Sequence, residues 1–170
     1  MSTIESTEES WSDAIGAPTA AALVEMVAAL TCDYDRLEEL RDDRDAHDDG
    51  PEVWAKENPD DAEELAELET AAGECTSEED ARERIMEDPL SVEVRSDWHA
   101  PGAEDNGPAE FCILLGTGGP ATRIRGELDQ YAQPRRAWLE VQDWGKPWTQ
   151  YHDIEQSTLL AYCECFYFGE

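Results

Sequence analysis

A net charge of minus 30, from 42 acidic against 12 basic residues in a chain of 170, limits what this sequence can fold into more than any other feature. A compact state must hold against that self-repulsion, so something must favour keeping it. The excess is uneven. Residues 1–90 carry 29 acids and 6 bases, a net of minus 23, while residues 91–170 carry 13 and 6, a net of minus 7. Forty per cent hydrophobic residues and six tryptophans place the sequence on the globular side of the boundary with disordered chains. Its length suits one domain, or two small lobes sharing a core.

The five cysteines, Cys32, Cys75, Cys112, Cys163 and Cys165, are odd in number, lie mostly in apolar stretches and lack CxxC spacing. Neither a disulfide framework nor a zinc ribbon is expected, and a reducing compartment fits. Met1–Ser12 is acidic and polar, without the basic and apolar regions of a signal peptide, and no run approaches about 18 uninterrupted apolar residues. The expected location is a reducing cytoplasm, with no membrane contact. Nucleic acid and anionic lipid repel such a surface, so the expected partners are basic.

The first half reads as helices. Pro18 suits a first helical position, and Ala20–Leu30 is apolar nearly all round, as a buried helix would be. From Asp33 to Asp45, Tyr34, Leu37 and Leu40 form one stripe among acids and three arginines, and the pattern ends near Gly50-Pro51. Asn58-Pro59 opens and Gly73 closes a helix with Ala62, Leu65, Ala66, Leu68 and Ala72 inward. Ser77 and Asp80 form a capping pair for a short helix through Ile85 and Met86 that stops before Pro89.

After Pro89 the period changes to alternation. Leu90, Val92, Val94 and Trp98 take one face of a half-buried strand, Phe111–Leu115 suits a central strand, and Gly116–Pro120 turns into Thr122, Ile124, Gly126 and Leu128. Residues 137–143 supply a fourth strand, and Ser157–Phe168 a closing helix that packs on the sheet. The expected class is α+β: an acidic helical region, 1–89, then a four-stranded antiparallel meander with a C-terminal helix, 90–170.

Thr117-Gly-Gly-Pro120, Arg123-Ile-Arg125, Trp138-Leu-Glu-Val-Gln-Asp-Trp144, Pro147-Trp148 and Phe166-Tyr-Phe-Gly-Glu170 stand out in the second half. Through them, residues 91–170 resemble the C-terminal part of small uncharacterised proteins encoded by bacteriophages and prophages. The resemblance implies a context, not an activity. Small acidic phage proteins include anti-CRISPR and anti-restriction proteins, several of which are similar to DNA in charge distribution.

The acidic helices lie outside that resemblance and are read on their physics. Carboxylates three or four residues apart on a helix have Cβ atoms roughly 5 to 6 Å apart, comparable with neighbouring phosphates on a strand. Asp35/Glu39, Glu38/Asp42, Glu39/Asp43, Asp60/Glu64 and Glu63/Glu67 are like-charged i,i+4 pairs, which cost helix stability, so stability alone would not select them. The expected function is therefore inhibition, without turnover, of a host nucleic-acid-targeting complex by a DNA mimic. Its partner would be the basic DNA-binding channel of a CRISPR surveillance complex or a restriction enzyme. The contact residues expected are Asp35, Glu38, Glu39, Asp42, Asp43, Asp45, Asp48, Asp49, Asp60, Asp61, Glu63, Glu64, Glu67 and Glu69, with Trp144 and Trp148 as aromatic anchors on a loop.

Two rival readings accompany this one. Docking on a host protein through Trp144–Tyr151 is the first; adaptation to high salt, which fits a chain whose only lysines are Lys56 and Lys146 but not the uneven charge, is the second. No cofactor, metal or catalytic residue is expected. Asp45, His47, Asp49 and Gly50 imitate the start of a calcium loop, but Lys56 stands where its bidentate glutamate belongs. His99, His152, Cys163 and Cys165 fit no zinc or nucleophile spacing, and Gly116–Pro120 lacks the Lys-Ser/Thr of a phosphate loop.

Overall fold

A computed structural model describes residues 2–104 and 107–169, with side chains from Trp11 onward. The elements run α1 (Ser2–Leu30), α2 (Tyr34–Asp45), α3 (Pro51–Glu57), α4 (Pro59–Ala72), α5 (Glu78–Glu87), β1 (Ser91–Ser96), β2 (Pro108–Gly116), β3 (Ala121–Leu128), β4 (Pro134–Gln142), β5 (Thr149–Tyr151) and α6 (Gln156–Cys163). Where the sequence divides 1–89 from 90–170, the chain clusters otherwise. One compact unit is Glu25–Arg84; the other takes the residues up to Val24 and those from Ile85 on.

In the first of these, 23 acids face 6 bases, a net of minus 17 in 60 residues. Asp33 caps α2, its carboxylate accepting from the Arg36 amide at 3.0 Å. Leu37 and Leu40 then meet Trp54, Leu65 and Ala72 in one apolar cluster, with Tyr34, Ala62 and Leu68 at its edge. α2 ends at Asp45, ahead of Gly50-Pro51 as expected, but that pair also opens α3, which was not expected: Gly50 takes φ 88° and Pro51 starts a helix that buries Trp54. α4 keeps its expected limits, Pro59 inside the start and Gly73 past the end, although Ala66 is exposed. The expected cap on α5 forms: Ser77 Oγ accepts from the Asp80 amide at 3.1 Å, and Asp80 accepts from the Thr76 amide at 2.8 Å. A smaller cluster joins Ala29, Cys75 and Ala81 with Leu30 and Tyr34. Tyr34 donates to the Ala29 carbonyl at 2.8 Å; burial, reinforced by Cys75, Cys32 and Asp80, pushes its pKa up to about 12.

α1 departs from expectation twice. It begins at Ser2 with Pro18 inside it, where the missing amide falls opposite the exposed Ala14, whose carbonyl water can serve. It is also not buried all round: Leu23 and Ala29 are buried while Val24 is half exposed. By length and composition alone, Trp11–Leu30 would suffice to cross a membrane.

The second unit is built on an antiparallel sheet in the order β1-β2-β3-β4-β5, one strand more than expected. The extra strand, β5, is three residues long after Pro147, too short to show alternation, and sets Tyr151 opposite Leu139. Phe111, Ile113, Ile124, Leu139 and Val141 form the buried face; α6 packs against β4 and contributes Leu159, Tyr162 and Cys163 to the core, and Phe168 lies 4.6 Å from Phe111 by ring centroids. The closing helix stops at Cys163, five residues short of the expected Phe168, and Tyr167 points to solvent.

Gly16 and Gly126 permit close approach in this unit. A Cβ on Gly16 would meet the Tyr151 ring at 2.3 Å, and one on Gly126 would meet both the Phe111 ring and the Arg136 carbonyl at 2.3 Å. β1 corrects a further expectation. Val92 and Val94 share a face with Ile113 and Phe111 but stay exposed, and Trp98 lies beyond the strand in full solvent, because an edge strand extends past the helical cover.

Candidate functional site

The acidic unit sorts its carboxylates into two populations. The arginines of α2 sit beside the Leu37/Leu40 stripe and reach α4. Arg36 places Nη2 2.8 Å from Glu64 and 3.1 Å from Asp61, with Nη1 2.8 Å from Glu39. Arg41 and Arg44 converge on Glu69 at 3.1 and 3.5 Å, and Arg44 also holds Asp45 at 2.8 Å. Hydrogen bonds to Glu64 and Glu39 raise the pKa of Arg36, and the Arg44 guanidinium holds the Asp45 carboxyl below its usual range. Five expected contact residues, Glu39, Asp45, Asp61, Glu64 and Glu69, are thus tied into this network.

The other nine acids expected at the interface make no ion pair among the described residues: Asp35, Glu38, Asp42, Asp43, Asp48, Asp49, Asp60, Glu63 and Glu67, all exposed. Six of them fall into one pattern repeated on two helices. Asp35, Glu38 and Asp42 stand at i, i+3 and i+7 of α2; Asp60, Glu63 and Glu67 stand at i, i+3 and i+7 of α4. That spacing puts each triplet on one stripe about 10 Å long, opposite the apolar stripe of the same helix. Of the five i,i+4 like-charged pairs, Arg36 relieves three through Glu39 and Glu64, and leaves Glu38/Asp42 and Glu63/Glu67 uncompensated. Sequence reading missed the role of Arg36, Arg41 and Arg44. Their positions flanking the apolar stripe were the available signal, because long side chains beside a packed seam reach the neighbouring helix.

The two tryptophans separate. Trp148 lies under the Arg123 guanidinium, 3.9 Å from its ring centroid, while Arg123 Nε donates to Glu140 at 2.6 Å and Trp138 Nε1 donates to the same carboxylate at 3.0 Å. It covers the sheet. Trp144, by contrast, is 77% exposed at a turn made by Gly145 at φ 69°. Its amide donates to Asp143 at 2.8 Å, so the tip has a defined backbone.

Among the described residues no three His, Cys, Asp or Glu side chains converge as metal ligands, and the calcium-like segment is diverted: Asp45 pairs with Arg44 and His47 Nε2 lies 3.2 Å from Glu57. Cys163 is buried, which pushes its thiol up and away from nucleophilic use. No protein-family model, curated protein or solved structure matches the chain.

Proposed function

We propose that this protein is a stoichiometric inhibitor of the anti-CRISPR or anti-restriction kind, acting in the host cytoplasm as a DNA mimic. It occupies the Lys/Arg-lined channel where a host defence complex receives DNA. The observation that carries the reading is the division of labour among the acids: arginines neutralise the seam between α2 and α4, and a free carboxylate triplet remains on the outward stripe of each helix. A surface kept only for solubility needs no such sorting, and uncompensated like charges at i,i+4 cost helix stability. A basic channel that binds phosphates would accept these rows through the same Lys and Arg side chains, with fast and salt-sensitive association.

The deciding experiment is a DNA-competition assay on CRISPR and restriction complexes, paired with plasmid challenge in cells carrying them. Reversal of Asp60, Glu63 and Glu67 to lysine is expected to abolish inhibition while the chain stays folded. Full inhibition by that variant sinks the reading. The exposed Trp144 favours a second reading, docking on a host protein through its loop. That one requires inhibition to survive triplet reversal and fail on Trp144→Ala.

A further inference from the structure

The sheet has two unlike edges. β5 offers three residues, but β1 offers six, Ser91–Ser96, with no proline or lysine to discourage pairing and its outer side unpaired among the described residues. The irregularity between β1 and β2 does not disturb it: Arg95 faces Glu110 and Ser96 faces Pro108, so the extra residue, Ala109, belongs to β2 and β1 keeps its alternation. On the face shared with Phe111 and Ile113, β1 leaves Val92 40% and Val94 44% exposed, with Leu90 at 60% just before it and Trp98 at 100% just after.

We infer that β1 pairs antiparallel with β1 of a second copy of this chain, around a twofold axis at Val94, to join two sheets into one. The strand's own sequence selects the occupant and the register. An antiparallel pair related by a twofold must set core-face residues opposite core-face residues, which leaves registers centred on Val92, Glu93, Val94 or Arg95. Centring on Glu93 or Arg95 opposes like charges, and centring on Val92 sets Arg95 against Pro89. Centring on Val94 sets Glu93 against Arg95 of the second copy, twice by symmetry. The same register brings Val94 against its own copy, Val92 against Ser96, and, carried past the strand, the fully exposed Trp98 against Leu90. Within its own chain Arg95 is already held by Glu110, so this alignment adds Glu93 of the second copy as a further unlike charge opposite it, and it covers the apolar row that the helices leave open.

The test uses the full chain in sedimentation or light-scattering measurements, with circular dichroism to confirm folding of each variant. The wild-type chain is expected to dimerise. Glu93→Arg opposes arginines twice and should weaken the dimer about tenfold, and the double variant Glu93→Arg/Arg95→Glu should restore it. A second measurement does not depend on those charges: under oxidation Val94→Cys should link to its own copy, whereas Val92→Cys, facing Ser96, should not. A monomer at all concentrations, a dimer indifferent to residues 93 and 95, or equal cross-linking from positions 92 and 94 overturns the inference.

Discussion

Arg36 on α2 fixes Glu64 on α4 through two nitrogens of its fork, Nε at 3.1 Å and Nη2 at 2.8 Å from the same carboxylate oxygen. One side chain thereby takes three acids, Glu39, Asp61 and Glu64, out of the pool that a partner could engage.

The first prediction follows from that grip. Arg36→Met should lower the melting temperature at low ionic strength, because it leaves three neighbouring carboxylates without their shared cation. The loss should shrink in about 1 M salt, where the Debye length falls to about 3 Å. Binding to a basic partner should not weaken, since the outward triplets are untouched. Calorimetry at two salt concentrations and the competition assay check both halves.

A second prediction concerns space, not charge. Gly126 lies opposite Phe111 in the β2–β3 register, and the Phe111 ring occupies the place of its missing side chain. Gly126→Ala should destabilise by about 1–3 kcal/mol through overpacking, and Gly16→Ala, whose new methyl would strike the Tyr151 ring, should do the same. Denaturant unfolding curves measure both. Gly50→Ala is a useful contrast: nothing lies within 4 Å of its added Cβ, so any loss there comes from its φ of 88° alone.

Alkaline pH provides the third. Tyr162 is fully buried and donates to Asp88 at 2.7 Å; burial first, then that carboxylate, raise its pKa above the ordinary 10.0. Above about pH 10 the unfolded chain releases this proton while the folded chain keeps it, so stability is full below that pH and falls as pH rises beyond it. Tyr162→Phe should cost about 1 kcal/mol at neutral pH, since the exposed Asp88 regains water. The variant should also flatten the alkaline fall, as unfolding midpoints measured across pH 8–11 would show.

The fourth separates the tryptophans. Trp148→Ala removes the ring beneath Arg123 and should destabilise by about 1 kcal/mol. Trp144→Ala should leave stability unchanged, because its ring is mostly in solvent. A loss of inhibition from Trp144→Ala would transfer the contact from the helices to the loop.

Much of the fold was legible because its signals are local. Asn58-Pro59 and Gly73 bracket α4, Ser77 and Asp80 cap α5, and the apolar run Phe111–Leu115 with the alternation of Thr122, Ile124, Gly126 and Leu128 marks the central strands. What escaped had no local signal of its own. α3 hides behind Gly50-Pro51, which reads equally as a stop; β5 is shorter than the period that would reveal it; and the register of β1 says which face Val92 and Val94 take but not whether anything covers it.

The same division runs through the candidate site. The sequence by itself determined the charge, its concentration before Pro89, and the helical spacing that lines up Asp35, Glu38 and Asp42, and Asp60, Glu63 and Glu67, because composition and period are properties of consecutive residues. Only the tertiary structure decided which carboxylates remain free. Arg36 and Glu64 are 28 residues apart in the chain, and only the packing of α2 on α4 brings an arginine within hydrogen-bonding distance of one acid and not the next.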